Sequence, residues 1–178
     1  TPRYITPSQA KLVIKQLPPF ITNVGLFVDN EIGEIEDIVN HCKLDAVQLH
    51  GNESPEMCTQ IRFQTKVIKS FHVKKEPQVL RNEIENYRVD AYLLDTFIKG
   101  KAGGTGQTFD WRIAEGLSQR IILAGGLTPD NIGTAIAQLQ PYGVDVSSGV
   151  EKSPGKKDTN KIHSFVRQVR KANLIIEK

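Results

Sequence analysis

Residues 142–158 read YGVDVSSGVEKSPGKKD, and this stretch decides the fold. It predicts a buried strand over 144–146 that passes, just after Asp145, into the small residues 147–149 (SSG). In βα architectures a phosphate binds at the carboxyl end of a strand, where backbone N–H groups and serine hydroxyls converge. The stretch therefore predicts an anion site. Two interpretations of Asp145 remain open: it holds a polar group of a substrate, or it caps the following turn.

Length and charge limit the classes of protein. The chain has 178 residues and a net charge of +3, which is typical of one globular domain. Acids and bases are interleaved, and the basic cluster 152–157 is interrupted by Ser, Pro and Gly, so a nucleic-acid partner is not expected. No apolar run is long enough to span a membrane, and no signal peptide opens the sequence, so we expect a cytoplasmic protein. Cys42 and Cys58 follow no metal-ligand spacing.

Helical and strand patterns alternate along the whole chain. Helices are predicted over 9–17, 31–42, 55–62, 77–87, 109–117, 130–139 and 159–176, and strands over 24–28, 46–49, 66–71, 91–94, 121–123 and 144–146. Continuous apolar strands in a strict βαβα order predict a parallel sheet covered by helices.

Polar groups at the strand ends favour a barrel over a doubly wound open sheet. Barrels draw their site residues from many strand ends, whereas doubly wound sheets concentrate function at one switch point. Here nearly every strand ends in such a group: Asp29, His50, Ser70 with His72, Asp95, Gly125 with Gly126, and Asp145 with Ser147. The predicted fold is therefore an α/β chain of (β/α)8 TIM-barrel type, forming a single domain over 1–178.

The strand count falls short of a complete barrel, which has eight strands and about 250 residues. Only six strands are predicted, and an open six-stranded sheet would expose two unpaired edges. We therefore expect one further strand–helix–strand unit upstream of Thr1.

Several motifs, in order and spacing together, carry a resemblance to a known family. They are RYITP (3–7), VQLHG (47–51), LLDT (93–96), GGTGQTFDW (103–111), LAGGLTPDN (123–131) and VDVSSGVE (144–151) followed by PGKKD (154–158). Over its whole length the chain resembles phosphoribosylanthranilate isomerase of tryptophan biosynthesis. The resemblance implies a (β/α)8 barrel that begins with a strand carrying a Cys-Gly-Ile motif, then a helix and a second strand, which is the unit expected upstream.

The reaction implied by the resemblance is an Amadori rearrangement of an aminoaldose phosphate to an aminoketose phosphate. It needs an acid to protonate the ring oxygen and a base to remove the proton from the neighbouring carbon. The resemblance makes Asp95 the acid, at a strand end where partial burial helps a carboxyl keep its proton. The family's base is a cysteine of the first strand. Cys42 and Cys58 are predicted in helices and do not replace it. The sequence is therefore expected to be either part of an active enzyme or a variant that cannot perform the isomerisation in this way.

Other roles follow from the resemblance position by position. Arg3 is expected to meet the anthranilate carboxylate through its guanidinium fork, and His50 to lie at the mouth of the site. Asp145 is expected near the amine or the sugar hydroxyls of the substrate. The phosphate is expected in a cradle of residues with little or no side chain: Gly125, Gly126, Ser148 and Gly149.

Residues 101–108 (KAGGTGQT) lack both the P-loop and the dinucleotide-binding pattern, and are expected to form a loop that closes over the substrate. No cofactor or metal is expected; the partner is a small sugar phosphate, and the protein is a monomer or homodimer. Two alternatives stay open. One is a lyase or synthase on another sugar phosphate, using Lys69 or Lys99, although alternation points Lys69 to the face of Phe71. The other is a barrel fragment that binds a sugar phosphate without turnover and needs a complementing segment.

Overall fold

The structure is a computed structural model that describes residues 3–73, 76–96 and 111–176. Its main sheet has six strands in the order β1-β2-β3-β4-β5-β6, and the pairings β1–β2, β2–β3 and β5–β6 are parallel. The strands are β1 Val24–Phe27, β2 Ala46–Leu49, β3 Lys66–Val73, β4 Ala91–Thr96, β5 Ile121–Leu123 and β6 Gly143–Val144. The six strands predicted for the parallel sheet are thus confirmed.

Within the described residues, six α-helices precede, connect or follow these strands: α1 Pro7–Ile14, α2 Ile32–Cys42, α3 Pro55–Arg62, α4 Pro77–Glu85, α5 Ile132–Leu139 and α6 Thr159–Ile176. Helix α1 begins two residues before the predicted start because Thr6 forms a capping box. Its hydroxyl accepts from the Gln9 N–H at 3.3 Å, and the Gln9 side chain accepts from the Thr6 N–H at 3.1 Å.

The helix predicted over 109–117 is wrong in its described part. That part is one short 3-10 helix, Trp111–Ala114, and the chain then turns through Gly116 with φ 74°. Positive φ is incompatible with an α-helix, so the turn ends the element early.

The strand predicted over 144–146 is also corrected. Strand β6 ends at Val144, which is half-buried, and Asp145 is exposed. The Asp145 N–H still donates to the Leu123 carbonyl of β5 at 2.8 Å. At Ser147 the backbone (φ −114°, ψ −84°) leaves the strand conformation, and the chain enters a 3-10 helix, Ser148–Val150.

An antiparallel hairpin, which the sequence patterns did not predict, follows this 3-10 helix. Its strands are β7 Glu151–Ser153 and β8 Lys156–Lys157. Gly155 occupies the turn with φ 78°, a conformation that glycine adopts without steric cost. The hairpin brings Lys157 back toward the residues that follow β6.

The chain divides into two compact units. Among the described residues, unit 1 comprises 3–71 and 82–92, and unit 2 comprises 72–81 and 93–176. The core of unit 1 has side chains at or near full burial: Ile35, Val47, Leu49, Ile61, Val67 and Ile84. The core of unit 2 packs α5 and α6 against β5 and the two 3-10 helices: Trp111, Leu123, Leu127, Ile132, Ala135, Ile136, Val150, Phe165 and Ala172.

Strand β1 lies at one edge of the sheet and presents apolar side chains to solvent. Val24 is 44% exposed and Leu26 is 59% exposed. Within the described ranges, no helix combines the length and apolar content needed to cross a bilayer.

Candidate active site

The loop after β5 carries two adjacent glycines in the left-handed region, Gly125 with φ 77° and Gly126 with φ 65°. Side chains are disfavoured at such φ values, so the backbone is bare at both positions. Asn131 closes the turn. Its Nδ2 donates to the Gly126 carbonyl at 2.9 Å, and its Oδ1 accepts from the Thr128 N–H at 2.8 Å. The motif LAGGLTPDN therefore folds as one hydrogen-bonded turn.

Gly149 packs directly against this turn. A Cβ placed on Gly149 would overlap the Leu127 carbonyl oxygen, so only glycine permits the approach. Ser148 and Gly149 belong to the 3-10 helix Ser148–Val150, and both are half-buried. Within unit 2, the structure thus brings together the two segments that were predicted to surround a phosphate, residues 125–126 and 148–149.

A cation that sequence analysis did not assign lies beside these segments. Lys157 Nζ donates to the Ser147 carbonyl at 2.8 Å and pairs with Glu151 Oε1 at 3.1 Å. The Glu151 side chain is 5% exposed, whereas that of Lys157 is 42% exposed. The motif PGKKD is the signal for this lysine in the sequence: it forms part of the family resemblance, but neither the motif nor the basic cluster 152–157 predicts a role for Lys157 itself.

Asp95 and His72 lie at the carboxyl ends of two neighbouring strands, β4 and β3. Both strands run beyond their predicted ends, so that each of these residues is part of a strand. A carboxylate oxygen of Asp95 and a ring nitrogen of His72 are within 4.8 Å of one another. Asp95 is half-buried and His72 is exposed. Sequence analysis noted His72 as a strand-end group but gave it no role.

His50 directly follows β2 in unit 1 and is half-buried. Its N–H donates to the Phe27 carbonyl of β1 at 2.9 Å, which continues the strand pairing by one residue. Its ring Nδ1 lies 3.0 Å from Gln48 Nε2. With the Gln48 amide nitrogen oriented toward the ring, Nδ1 accepts from it, and the neutral tautomer that fits this contact carries its proton on Nε2. Arg3 is exposed in the loop before α1.

The two cysteines are unsuited to proton abstraction. Cys42 is 2% exposed, and its thiol donates to the Pro7 carbonyl at 3.3 Å. Cys58 is fully buried, and burial raises the pKa of its thiol to about 11. A thiol with so high a pKa is almost entirely protonated at neutral pH, so it is a poor base.

Lys69 is not an available nucleophile. Its amino group is ion-paired with Glu53 at 3.0 Å, and its side chain is 3% exposed. Nζ also lies 5.8 Å from the centroid of the Phe71 ring, which confirms the predicted face. Lys99 and the glycine-rich segment 101–108 lie outside the described residues. The described part of the chain therefore offers no support for a lysine-dependent lyase.

Comparisons with known proteins agree with one another. The family model described as N-(5'-phosphoribosyl)anthranilate (PRA) isomerase matches residues 1–168. A Pelobacter propionicus protein named N-(5'-phosphoribosyl)anthranilate isomerase is 50% identical over 169 residues, covering 94% of this chain and 79% of that protein.

Solved structures give the same result. The crystal structure of phosphoribosyl anthranilate isomerase from Thermotoga maritima matches with a TM-score of 0.86 and 38% identity, covering 96% of this chain and 83% of that chain. A second phosphoribosyl anthranilate isomerase, in complex with reduced 1-(o-carboxyphenylamino)-1-deoxyribulose 5-phosphate, matches with a TM-score of 0.82 and 37% identity, covering 96% and 82%. These likenesses confirm the predicted α/β fold of (β/α)8 type.

Proposed function

Because this chain belongs to the N-(5'-phosphoribosyl)anthranilate isomerase family, we propose that it converts N-(5-phosphoribosyl)anthranilate to 1-(o-carboxyphenylamino)-1-deoxyribulose 5-phosphate in tryptophan biosynthesis. The observation that carries the proposal is 50% identity to a named isomerase over nearly the whole chain. The substrate is a small sugar phosphate. The reaction rearranges one molecule into its isomer, so its atoms and electrons balance without a cofactor.

The substrate phosphate binds in unit 2, on the bare backbone of Gly125, Gly126 and Gly149 and on the Ser148 hydroxyl. Two observations support this role: the positive φ angles of the first two glycines and the close packing of Gly149 on the turn that follows them. Backbone N–H groups without side chains approach a phosphate closely. The Lys157 ammonium lies beside these residues, at the Ser147 carbonyl, and its charge is paired with the buried Glu151 carboxylate.

Asp95 acts as the general acid. Its carboxyl gives a proton to the ring oxygen of the ribose, the C1′–O4′ bond breaks, and the electron pair on the anthranilate nitrogen forms a C=N bond to C1′. Removal of the C2′ proton then sends the C2′–H electrons into a C1′=C2′ bond and returns the nitrogen to a neutral amine. Ketonisation of the resulting enol gives the aminoketose. The half-buried position of Asp95 at the end of β4 supports the assignment.

The group that removes the C2′ proton is assigned by resemblance to a cysteine of the family's first strand. A cysteine in a strand–helix–strand unit upstream of residue 1 stays a prediction. Cys42 and Cys58 are both buried, and neither thiol is suited to act as this base.

Arg3, His50 and Asp145 bind the remainder of the substrate. Arg3 faces the anthranilate carboxylate through two parallel N–H groups, and His50 donates from Nε2. Asp145 accepts from the amine or the sugar hydroxyls, which its exposed position one residue beyond β6 permits. We place the enzyme in the cytoplasm, as a monomer or a homodimer.

The test is an assay of the protein purified as its natural gene encodes it, with N-(5-phosphoribosyl)anthranilate as the substrate, and turnover is followed by the loss of anthranilate-type fluorescence. Affinity for reduced 1-(o-carboxyphenylamino)-1-deoxyribulose 5-phosphate is measured on the same sample by calorimetry. Turnover together with analogue binding is expected. Analogue binding without turnover would favour the alternative of an incomplete sugar-phosphate-binding barrel, and absence of both would overturn the proposal.

A further inference from the structure

A buried ion pair in unit 1 lies next to a residue of the proposed site. Lys69 of β3 and Glu53 of the loop between β2 and α3 pair at 3.0 Å, with side chains 3% and 1% exposed. Burying two charges costs free energy that their attraction repays only when further hydrogen bonds satisfy both groups. The further hydrogen bonds of the Lys69 ammonium and the Glu53 carboxylate therefore show which parts of the chain the ion pair holds in place.

The Lys69 ammonium contacts the backbone on both sides of His50. Nζ donates to the Gly51 carbonyl at 2.8 Å and to the Leu49 carbonyl at 3.4 Å. It also donates to the Ser70 carbonyl of its own strand at 3.1 Å. The residues before and after His50 are thus tied to one ammonium group on the neighbouring strand.

The Glu53 carboxylate anchors the same loop to β1. It accepts from the Gly51 N–H at 3.0 Å on each oxygen, and from the Asp29 N–H at 3.0 Å. A Cβ on Gly51 would collide with Asp29, so the loop packs tightly against the end of β1. The ends of β1 and β2 therefore converge on one ion pair whose lysine lies within β3, with His50 between the contacts of that lysine.

We propose that the Glu53–Lys69 ion pair is a positioning element for His50. By holding the peptide groups on either side, the pair sets the backbone from which the imidazole projects, while Gln48 sets the ring tautomer. The His50 Nε2–H then meets the substrate in one orientation. The inference rests on the proposed function, in which His50 binds the substrate.

A double variant distinguishes an ion pair that positions His50 from one that only stabilises the fold. Glu53→Gln or Lys69→Met alone leaves one buried charge without its partner and lowers stability. The combination E53Q/K69M removes both charges, so we expect it to unfold close to the wild-type denaturant midpoint. It still lacks the ammonium contacts at Leu49 and Gly51. The double variant therefore separates the effect on the position of His50 from the effect on the stability of the fold.

Three measurements are made on wild type, both single variants and E53Q/K69M: the urea midpoint, the affinity for reduced 1-(o-carboxyphenylamino)-1-deoxyribulose 5-phosphate, and the ¹⁵N resonances of the His50 ring. A control, Ile35→Val, lowers stability in the buried core of the same unit. We expect E53Q/K69M to bind the analogue at least about tenfold more weakly than wild type, because a small displacement of a positioned group lowers affinity by a large factor. We also expect it to shift the His50 resonances. Ile35→Val should change neither readout.

A mutant cycle with His50→Gln shows whether the effect passes through His50. In the His50→Gln background, E53Q/K69M should change affinity by less than about twofold, because the positioned group is already gone. Unshifted His50 resonances, or an equal loss of affinity in both backgrounds, would overturn the inference. If E53Q/K69M does not fold, Lys69→Arg, which keeps the charge and alters the donor geometry, is tested in the same way. The ring resonances are measured without turnover. An inactive wild-type protein would therefore contradict the proposed function, while the shift of the His50 resonances would still report whether the ion pair positions the ring.

Discussion

Gly149 and Leu127 are in such close contact that a single methyl group on Gly149 would overlap the Leu127 carbonyl oxygen. The contact joins the 3-10 helix after β6 to the glycine turn after β5. A packed backbone cannot shift without moving one of these segments, so the contact sets the distance between the two halves of the proposed phosphate cradle.

Gly149→Ala should therefore disrupt the cradle. We expect a loss of about 1–3 kcal/mol in the free energy of unfolding, because overpacking forces backbone shifts. Affinity for inorganic phosphate and for the product analogue should fall together. Urea unfolding and calorimetric titration measure the two effects.

Gly133→Ala is the matched control for this variant. Gly133 lies within α5, and a Cβ there meets no atom within 4 Å. Alanine in a helix interior should stabilise by roughly 0.5–1 kcal/mol and leave phosphate affinity unchanged. Equal phosphate affinity in Gly149→Ala and Gly133→Ala would remove Gly149 from the phosphate site.

Asp95→Asn should lower kcat by about 10²–10⁴-fold, the usual contribution of a general acid, because the amide cannot supply the proton. The fold and the affinity for the product analogue should be largely retained, since the amide has nearly the shape of the carboxyl. Steady-state kinetics and calorimetry test both statements. Asp130→Asn, at an exposed aspartate of the same unit, is the control and should keep full activity. Retained turnover in Asp95→Asn would contradict the acid assignment.

Arg3→Ala should weaken binding of the whole substrate much more than binding of inorganic phosphate. The loss of affinity for the whole substrate should exceed the loss of affinity for inorganic phosphate by about tenfold or more. The reason is that a charge-assisted guanidinium–carboxylate contact is lost while the phosphate cradle is untouched. Competition of phosphate and of the product analogue against substrate gives the two affinities. Arg3→Lys, which keeps the charge without the fork, should lie between wild type and Arg3→Ala. Equal loss for both ligands would place Arg3 away from the anthranilate end.

Asp90 should contribute to the pH dependence of stability. Burial raises the pKa of its carboxyl, but the Val67 N–H at 2.9 Å and the Arg62 guanidinium at 3.2 Å outweigh burial and lower it. A folded-state pKa below the unfolded value stabilises the protein above the unfolded pKa, about 3.9, and that contribution is lost as pH falls through the folded pKa.

Asp90→Asn should accordingly cost about 1 kcal/mol near neutral pH, since the Arg62 side chain is partly exposed and screened. In urea unfolding series, the difference from wild type should shrink progressively as pH falls below the unfolded value of about 4. Asp37→Asn, at an exposed position of α2, is measured in the same series as the control variant. A wild-type advantage that is constant from pH 7 to pH 2 would refute the titration of Asp90.

Neither cysteine should react with thiol reagents in the native protein. The Cys58 thiol is fully buried and its pKa is raised by that burial, so little thiolate is present at neutral pH. Cys42 is buried as well. Labelling at pH 7 should be slow in buffer and complete in denaturant, as measured by intact mass. Rapid native labelling at Cys58 would show that the helix α3 opens readily.

Local sequence alone determined the order of the six strands of the main sheet and placed Asp95 near the carboxyl end of the fourth, although β4 runs two residues beyond its predicted end. Apolar periodicity, prolines and capping residues act over a few positions, so α6 and β5 were predicted to the residue. The motifs also indicated the glycines of the cradle, because their conformational freedom is a property of the residue itself.

Only the tertiary structure decided which distant groups meet. In the sequence, Glu53 is an acidic residue of a loop and Lys69 is a lysine of a strand, and no local pattern links them. In the structure they form a buried ion pair that contacts the residues on either side of His50. Lys157 joined the residues after β6 through a hairpin that no pattern predicted. Such contacts depend on which side chains lose water together when the sheet forms, and burial of that kind is a property of the packed chain rather than of any local segment.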